Sequence, residues 1–363
     1  MAKPLALTLG EPAGIGPDIT IRAWQRRKEA RLPPFYLIGD SEFIGRRART
    51  LGIDLPLADV SPEDVTTAFA DCLPVIGTGD VVTATPGNPD DSSANAALAS
   101  IRRAVADVSA GHASAVVTNP IAKSVLYRAG FRHPGHTEFL AELGASGGPA
   151  PQPVMMLWSP TLAVVPVTIH VSLRDAIAQL STDLIVTTMR IVVDGLRQRF
   201  GIRRPRLAVS GLNPHAGENG LFGREEIDVI APAVAQGRAA GIECRGPFPA
   251  DTVFLKALAG DFDGVLTMYH DQGQIATKLQ GFNRGVTVTA GLRTVFTTPA
   301  HGTAFDIVGQ GKATTGALEQ AIRLAARLGA SRKRATAPAA APTRRIDHRR
   351  RTASATERNQ NER

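Results

Sequence analysis

Short apolar runs rich in β-branched side chains alternate along this chain with longer stretches in which apolar residues recur every three or four positions. The first pattern fits strands buried on both faces and the second fits amphipathic helices. Their alternation predicts an α/β protein with a largely parallel sheet. Strands are expected at 5–9, 35–39, 115–118, 154–158, 163–169, 207–211, 264–269 and 286–290. Helices are expected at 17–30, 93–110, 121–130, 137–144, 173–180, 183–200, 224–240, 251–258 and 315–328. No fixed-period repeat interrupts this order, and ATPGNPDDSS at 84–93 reads as a surface loop.

The pattern stops at 331. From there to 363 large apolar residues all but vanish in favour of Arg, Ala, Pro, Ser and Thr, the composition of a disordered tail. This split changes the meaning of the charge. The whole chain carries 41 Lys and Arg against 33 Asp and Glu, net +8. Ten of the basic and three of the acidic residues lie in 331–363, so the tail holds +7, and the body of 1–330 holds +1 from 31 basic and 30 acidic groups. A basic tail can bind nucleic acid through counterion release or serve as a solubilising extension. The body shows no helix-turn-helix, zinc-finger or RNA-recognition motif and only 5% aromatic residues, so nucleic acid is not the expected partner. Two cysteines, Cys72 and Cys244, supply neither a disulfide framework nor a thiolate zinc site. No apolar run is long enough to span a membrane and no signal-peptide core follows Met1, so a cytoplasmic protein is expected.

Three of the eight histidines share one context: His170 ends LAVVPVTIH, His215 follows LAVSGLNPH and His270 follows GVLTMYH. Each falls at the carboxyl end of an expected strand, where open α/β sheets place their ligands. A single such histidine is commonly an ordinary turn residue, but three converging imidazoles suit a divalent metal with positions left for substrate oxygens. Asp271 and Glu218 stand beside two of them, as partners for the rings or as plain loop acids. In PGHTEF, Thr137 reads as the N-cap of a helix whose free N–H groups, with His136, would suit an anion. Gly10, Gly14 and Gly16 fit neither phosphate-loop nor dinucleotide fingerprints, and read as a tight strand-to-helix turn. His301, Gly302, Thr303 and Asp306 lie in a glycine-rich turn, and Lys278 is a lone lysine downstream of His270.

LTLGEPAGIGPDI, TNPIAKSVLYRAGF with PGHTEF, HVSLRD, GLNPHAGENGLFGREE, GPFPADT, YHDQG, QGFNRGV and HGTAFDI occur here in the order found in the 4-hydroxythreonine-4-phosphate dehydrogenase family of pyridoxal phosphate biosynthesis. The resemblance covers 5–328 and leaves the tail outside. It implies an isopropylmalate/isocitrate dehydrogenase-like fold with two α/β subdomains around a central cleft. It also implies a homodimer with the active site between subunits, NAD or NADP as cofactor, and a divalent metal (Zn, Mg, Mn or Co) on His170, His215 and His270. His136, Thr137, Lys278 and Thr287 match substrate-binding positions, with Lys278 as the candidate for proton handling. His301, Gly302, Thr303 and Asp306 resemble the adenosine-side loop. The implied reaction is oxidation of a small 4-phosphorylated 3-hydroxy acid to the 3-oxo acid, then decarboxylation.

Two positions depart from that pattern. Thr287 stands where the pyridoxal-pathway enzymes carry Asn, and Phe296 where they carry Arg, with Arg293 nearby. Both departures look like a second branch of the family that acts on D-threonate or D-erythronate 4-phosphate. A third relative, which oxidises a terephthalate cis-dihydrodiol, departs at PGHTEF, a motif this chain retains.

Overall fold

The computed structural model describes residues 3–336 except 134, 146–149 and 282–284. Twelve strands form one mixed sheet: β1 Leu5–Thr8, β2 Phe35–Ile38, β3 Leu57–Asp59, β4 Leu73–Ile76, β5 Val116–Val117, β6 Val154–Trp158, β7 Ala163–Pro166, β8 Arg206–Ser210, β9 Glu243–Phe248, β10 Gly264–Thr267, β11 Val286–Ala290 and β12 Phe296–Pro299. Their spatial order is β3-β4-β2-β1-β5-β12-β11-β6-β7-β10-β8-β9. All eight expected strands are present, and the α/β class holds. Of the four that were not expected, β4 (LPVI), β9 (ECRGPF) and β12 (FTTP) each contain a proline, which disguises a strand.

Two parallel blocks sit on either side of an antiparallel seam. The first six strands in spatial order, β3 to β12, are mutually parallel, as are the last four, β7 to β9. Between the blocks, β12 pairs antiparallel with β11, β11 with β6, and β6 with β7. Three reversals make the carboxyl ends of β7, β8 and β10 point opposite to those of β1, β5 and β12.

Strand alternation divides the core. In β1, Leu5 and Leu7 face one side with Ile19, Trp24, Met189 and Leu318, while Ala6 faces the other with Ile101 and Val105. The first cluster runs under both blocks, covered by the helices Gly16–Gln25, Thr182–Gln198 and Gly316–Thr336. The opposite face carries two separate clusters, one beneath the helix Asp91–Ala110 and one where Val164 and Val265 meet Val253 and Phe262. At about 1.5–3 kcal/mol for each fully buried large side chain, these layers supply the main driving force. Helix ends follow capping rules: Asp90 closes a capping box with Ser93, and Asp40 accepts from Phe43 N at 3.1 Å to open the helix Ser41–Thr50.

The glycine-rich turn after β1 is a tight strand-to-helix connection. Gly10 has φ +70°, and a Cβ there would lie 2.6 Å from Asn119 Cβ. The last helix runs through Thr336, six residues past the expected end of the body, and residues 337–363 lie outside the described residues. Among the described residues no single helix is long and apolar enough to cross a membrane.

Candidate active site

The strands β7, β10 and β8 are neighbours, so the loops bearing His170, His270 and His215 leave one edge of the sheet. His270 opens the helix His270–Gly281, and its ring centroid lies 5.9 Å from that of His170. Asp271 Oδ1 is 2.7 Å from His270 Nδ1, and the Gln274 side-chain nitrogen is 3.2 Å from His270 Nε2. Gln274 itself is buried, and its Oε1 has no hydrogen-bond partner. The His170 ring keeps an open outer edge, yet partial burial pushes its pKa below the ordinary value. Lys123 and His270 reinforce that shift, and Glu138 opposes it. A neutral imidazole with a free lone pair is the form that binds metal.

His215 stands apart. Residues 215–219 form a left-handed turn with φ of 53°, 52°, 80°, 41° and 56°, and only Gly217 among them is glycine. Asn219 tolerates this region, so at about 1–2 kcal/mol for each of His215, Ala216 and Glu218 the turn stores roughly 3–6 kcal/mol. The nearest ring to His215 is Phe222, at 6.1 Å. Among the described residues no three His, Cys, Asp or Glu side chains gather closely enough to hold a metal ion. Two imidazoles and an orphaned amide oxygen beside them are donors of the kind that suit a borderline divalent ion, and alone they are fewer than such an ion needs.

The connection from β5 to β6 crosses from one edge of the sheet to the other and brings Lys123 and Glu138 near His170. Helix His136–Leu143 starts in this connection. Its N-cap is Gly135, extended and without a side-chain cap bond, so Thr137 is a buried residue of the first turn and not the cap. The helix begins one residue earlier than the sequence pattern implied, and its first N–H groups are left without a side-chain acceptor. Pro134 and the His136 side chain lie outside the described residues, as do residues 282–284 of QGFNRGV. Lys278 is exposed on the helix opened by His270, eight residues and about 12 Å along its axis. Lys123 had no signal in the sequence beyond its place in TNPIAKS, and Gln274 had none beyond following YHDQG directly.

Thr287 pairs across β11 with Thr298, whose hydroxyl lies 2.6 Å from that of Thr118. Phe296 is 1% exposed within the core, so that side chain cannot touch a ligand. Arg293 sits in the turn between β11 and β12, where its carbonyl accepts from Arg199 at 2.7 Å. It lines a cavity of ≈ 350 Å³.

The second expected cluster lies at the oppositely directed edge. His301 follows β12, its Nδ1 3.0 Å from Gly302 O, its Nε2 buried without a partner, and its pKa lowered by burial. A Cβ on Gly302 would meet nothing within 4 Å. Thr303 O accepts from Ile15 N at 2.9 Å, joining this loop to the glycine-rich turn after β1, and Asp306 is exposed. Beneath both loops Arg47 and Asp18, each 1% exposed, pair at 2.6 Å. Arg47 also donates to Pro12 O and Gly14 O, and Asp18 accepts from Gly309 N. Nearby, Glu11 is buried and accepts from Ala13 N at 3.0 Å, with Ser93 beside its carboxylate. Burial raises its pKa.

The family model described as pyridoxal phosphate biosynthetic protein PdxA matches residues 31–325. A 4-hydroxythreonine-4-phosphate dehydrogenase of Bradyrhizobium diazoefficiens is 62% identical over 339 residues, 91% of this chain and 98% of that protein. One of Methylorubrum extorquens is 56% identical over 90% of this chain and 94% of its own length. Among solved structures, 4-hydroxythreonine-4-phosphate dehydrogenase from Klebsiella pneumoniae superposes with a TM-score of 0.78 at 37% identity, covering 90% of this chain and 100% of that one. A terephthalate 1,2-cis-dihydrodiol dehydrogenase from Burkholderia xenovorans gives 0.60 at 30% identity, covering 90% and 98%.

Proposed function

We propose that this chain, which belongs to the pyridoxal phosphate biosynthetic protein PdxA family and is an NAD(P)-dependent dehydrogenase, oxidises the 3-hydroxyl of 4-hydroxythreonine 4-phosphate in the cytoplasm. The observation that supports this reading best is the pairing of His170 and His270 beside Lys123, Glu138 and a helix start without a side-chain cap. These groups suit a substrate that carries a metal-chelating hydroxyl at one end and a phosphate at the other.

His170 and His270 would hold a divalent metal, with His215 supplied by a second copy of the chain. Exposed apolar side chains on the segments around the histidines favour such a contact: Leu173, Ile177, Leu221, Phe222, Ile275 and Leu279. A metal held there would supply Lewis acidity at the substrate hydroxyl, and a bound NAD or NADP would supply the hydride acceptor. The protein's own groups do the rest. The N–H groups at the start of the helix His136–Leu143, with His136 and Thr137, bind and orient the phosphate. Lys278 pairs with the substrate or takes the hydroxyl proton. His301, Gly302, Thr303 and Asp306 hold the adenosine side of the dinucleotide. The 3-oxo acid formed carries its carboxylate β to the ketone and loses it as carbon dioxide.

The test offers the purified protein 4-hydroxythreonine 4-phosphate, D-threonate 4-phosphate and D-erythronate 4-phosphate with NAD or NADP and a divalent metal, following reduced dinucleotide. Turnover of the first supports the proposal, and His215→Ala abolishes it. Turnover of only the other two moves the enzyme to the branch that the Thr287 and Phe296 departures resemble. No turnover of any overturns the reading.

A further inference from the structure

The turn that carries His215 is strained, and beside its backbone bonds from Ala216 N to Asn213 O and from Phe222 N to Gly217 O one buried side chain braces it. Glu226, 4% exposed, lies in the wide helical turn Glu226–Ile230. Its Oε1 accepts from the backbone N–H groups of Leu212 and Asn213, both at 2.7 Å, and its Oε2 accepts from the Asn213 side-chain amide at 2.9 Å. That amide also donates to Glu225 Oε2 at 2.7 Å. The carboxylate thus grips the chain on the approach to the left-handed residues. It also touches the turn from inside: a Cβ added at Gly217 would lie 2.6 Å from Glu226 Oε2. Left-handed backbone at non-glycine residues persists only where surrounding contacts over-determine it. Here the side-chain contacts come from a single buried acid, whose oxygens accept from the N–H groups of Leu212 and Asn213 and from the Asn213 side-chain amide.

We propose that Glu226 is a positioning residue for His215: its carboxylate locks the turn 215–219 in the shape that presents the exposed imidazole to a metal held by a second copy. The inference rests on the reading of His215 as a metal ligand. It adds that ligand geometry is set by a residue that never meets the metal, a dependence that outer groups around metal ligands commonly show.

The test uses the full-length protein freed of metal and titrated with Co²⁺, read by the visible absorption of the bound ion. Wild-type protein should give a saturable spectrum that His215→Ala loses. Glu226→Gln keeps one acceptor oxygen but sets an amide against the Asn213 amide. It should weaken Co²⁺ binding about tenfold or more and change the spectrum, with Glu226→Ala worse. Gly217→Ala attacks the same contact from the turn side and should do likewise. Dinucleotide binding should be unchanged in all three, which a general loss of structure would not allow. Wild-type affinity and spectrum in both Glu226→Gln and Gly217→Ala overturn the proposal. If His215→Ala itself binds Co²⁺ like the wild type, the histidine reading fails, and this inference falls with it.

Discussion

Replacing Arg47 by Met tests what holds the two glycine-rich loops together. The substitution keeps an unbranched side chain in a site where Arg47 is 1% exposed, and removes the partner of Asp18, also 1% exposed, at 2.6 Å. Asp18 would then keep only the Gly309 N–H, and Pro12 O and Gly14 O would lose their donor. Breaking a buried pair from one side costs about 3–5 kcal/mol, because the remaining charge stays out of water. Each carbonyl left unsatisfied adds about 1–3 kcal/mol where water cannot reach it, so the upper end of the pair's range is expected. Against a net stability of about 5–15 kcal/mol, that is a third or more of the total. Urea denaturation of Arg47→Met, Asp18→Leu and the double variant forms a thermodynamic cycle. The double variant should be more stable than the sum of the singles predicts, with a coupling of about 2 kcal/mol or more. A loss below about 1 kcal/mol in Arg47→Met, or singles that add to within about 0.5 kcal/mol, would refute the reasoning. Because Ile15 N bonds Thr303 O, the KM for the dinucleotide should rise more in Arg47→Met than kcat falls.

Two further outcomes follow from buried groups. Phe296→Arg restores the side chain of the pyridoxal-pathway pattern but places a charge at a core position. It should cost at least about 3 kcal/mol in denaturation without improving KM, and an unchanged stability would show that this side chain is not core. Glu11 has a folded pKa above its ordinary value near 4.5, so its burial penalty appears as pH rises through 4.5 toward the folded value. Glu11→Gln carries no such penalty. Its Tm relative to wild type should therefore improve from about pH 4 to about pH 8, and an offset equal at both pH values would contradict the assignment.

Legibility in the sequence followed burial. Runs such as LALT, FYLI and GVLT, apolar and closed in on both faces, announce themselves as strands. FTTP does not, because its two threonines and proline read as a turn, although Phe296 and Thr297 are buried and Thr297 donates to Ala321 O at 2.9 Å. The helix His270–Gly281 was hidden by its opening, HDQGQ, whose polar side chains are spent on His270, Met268 N and Gly211 O and show no apolar period. In the site, strand-end position alone located His170 and His270. The separation of His215 was invisible, since a left-handed turn over four non-glycine residues has no pattern of its own and depends on Glu226, eleven residues on. The helix start in PGHTEF was legible, but its cap was assigned to Thr137 when a glycine opens the helix.

The order of strands carries a consequence for synthesis. β12 and β11, at 296–299 and 286–290, sit at the middle of the sheet, between β5 at 116–117 and β6 at 154–158. A nascent chain that has already made both neighbours must wait for more than a hundred further residues before either gains its partner on that side. Until then the open edges of β5 and β6 are unpaired templates for other strands. The two blocks are thus sealed into one sheet by the last two strands translated, and a premature stop before 286 leaves two half-sheets with adhesive inner edges in place of a shorter enzyme.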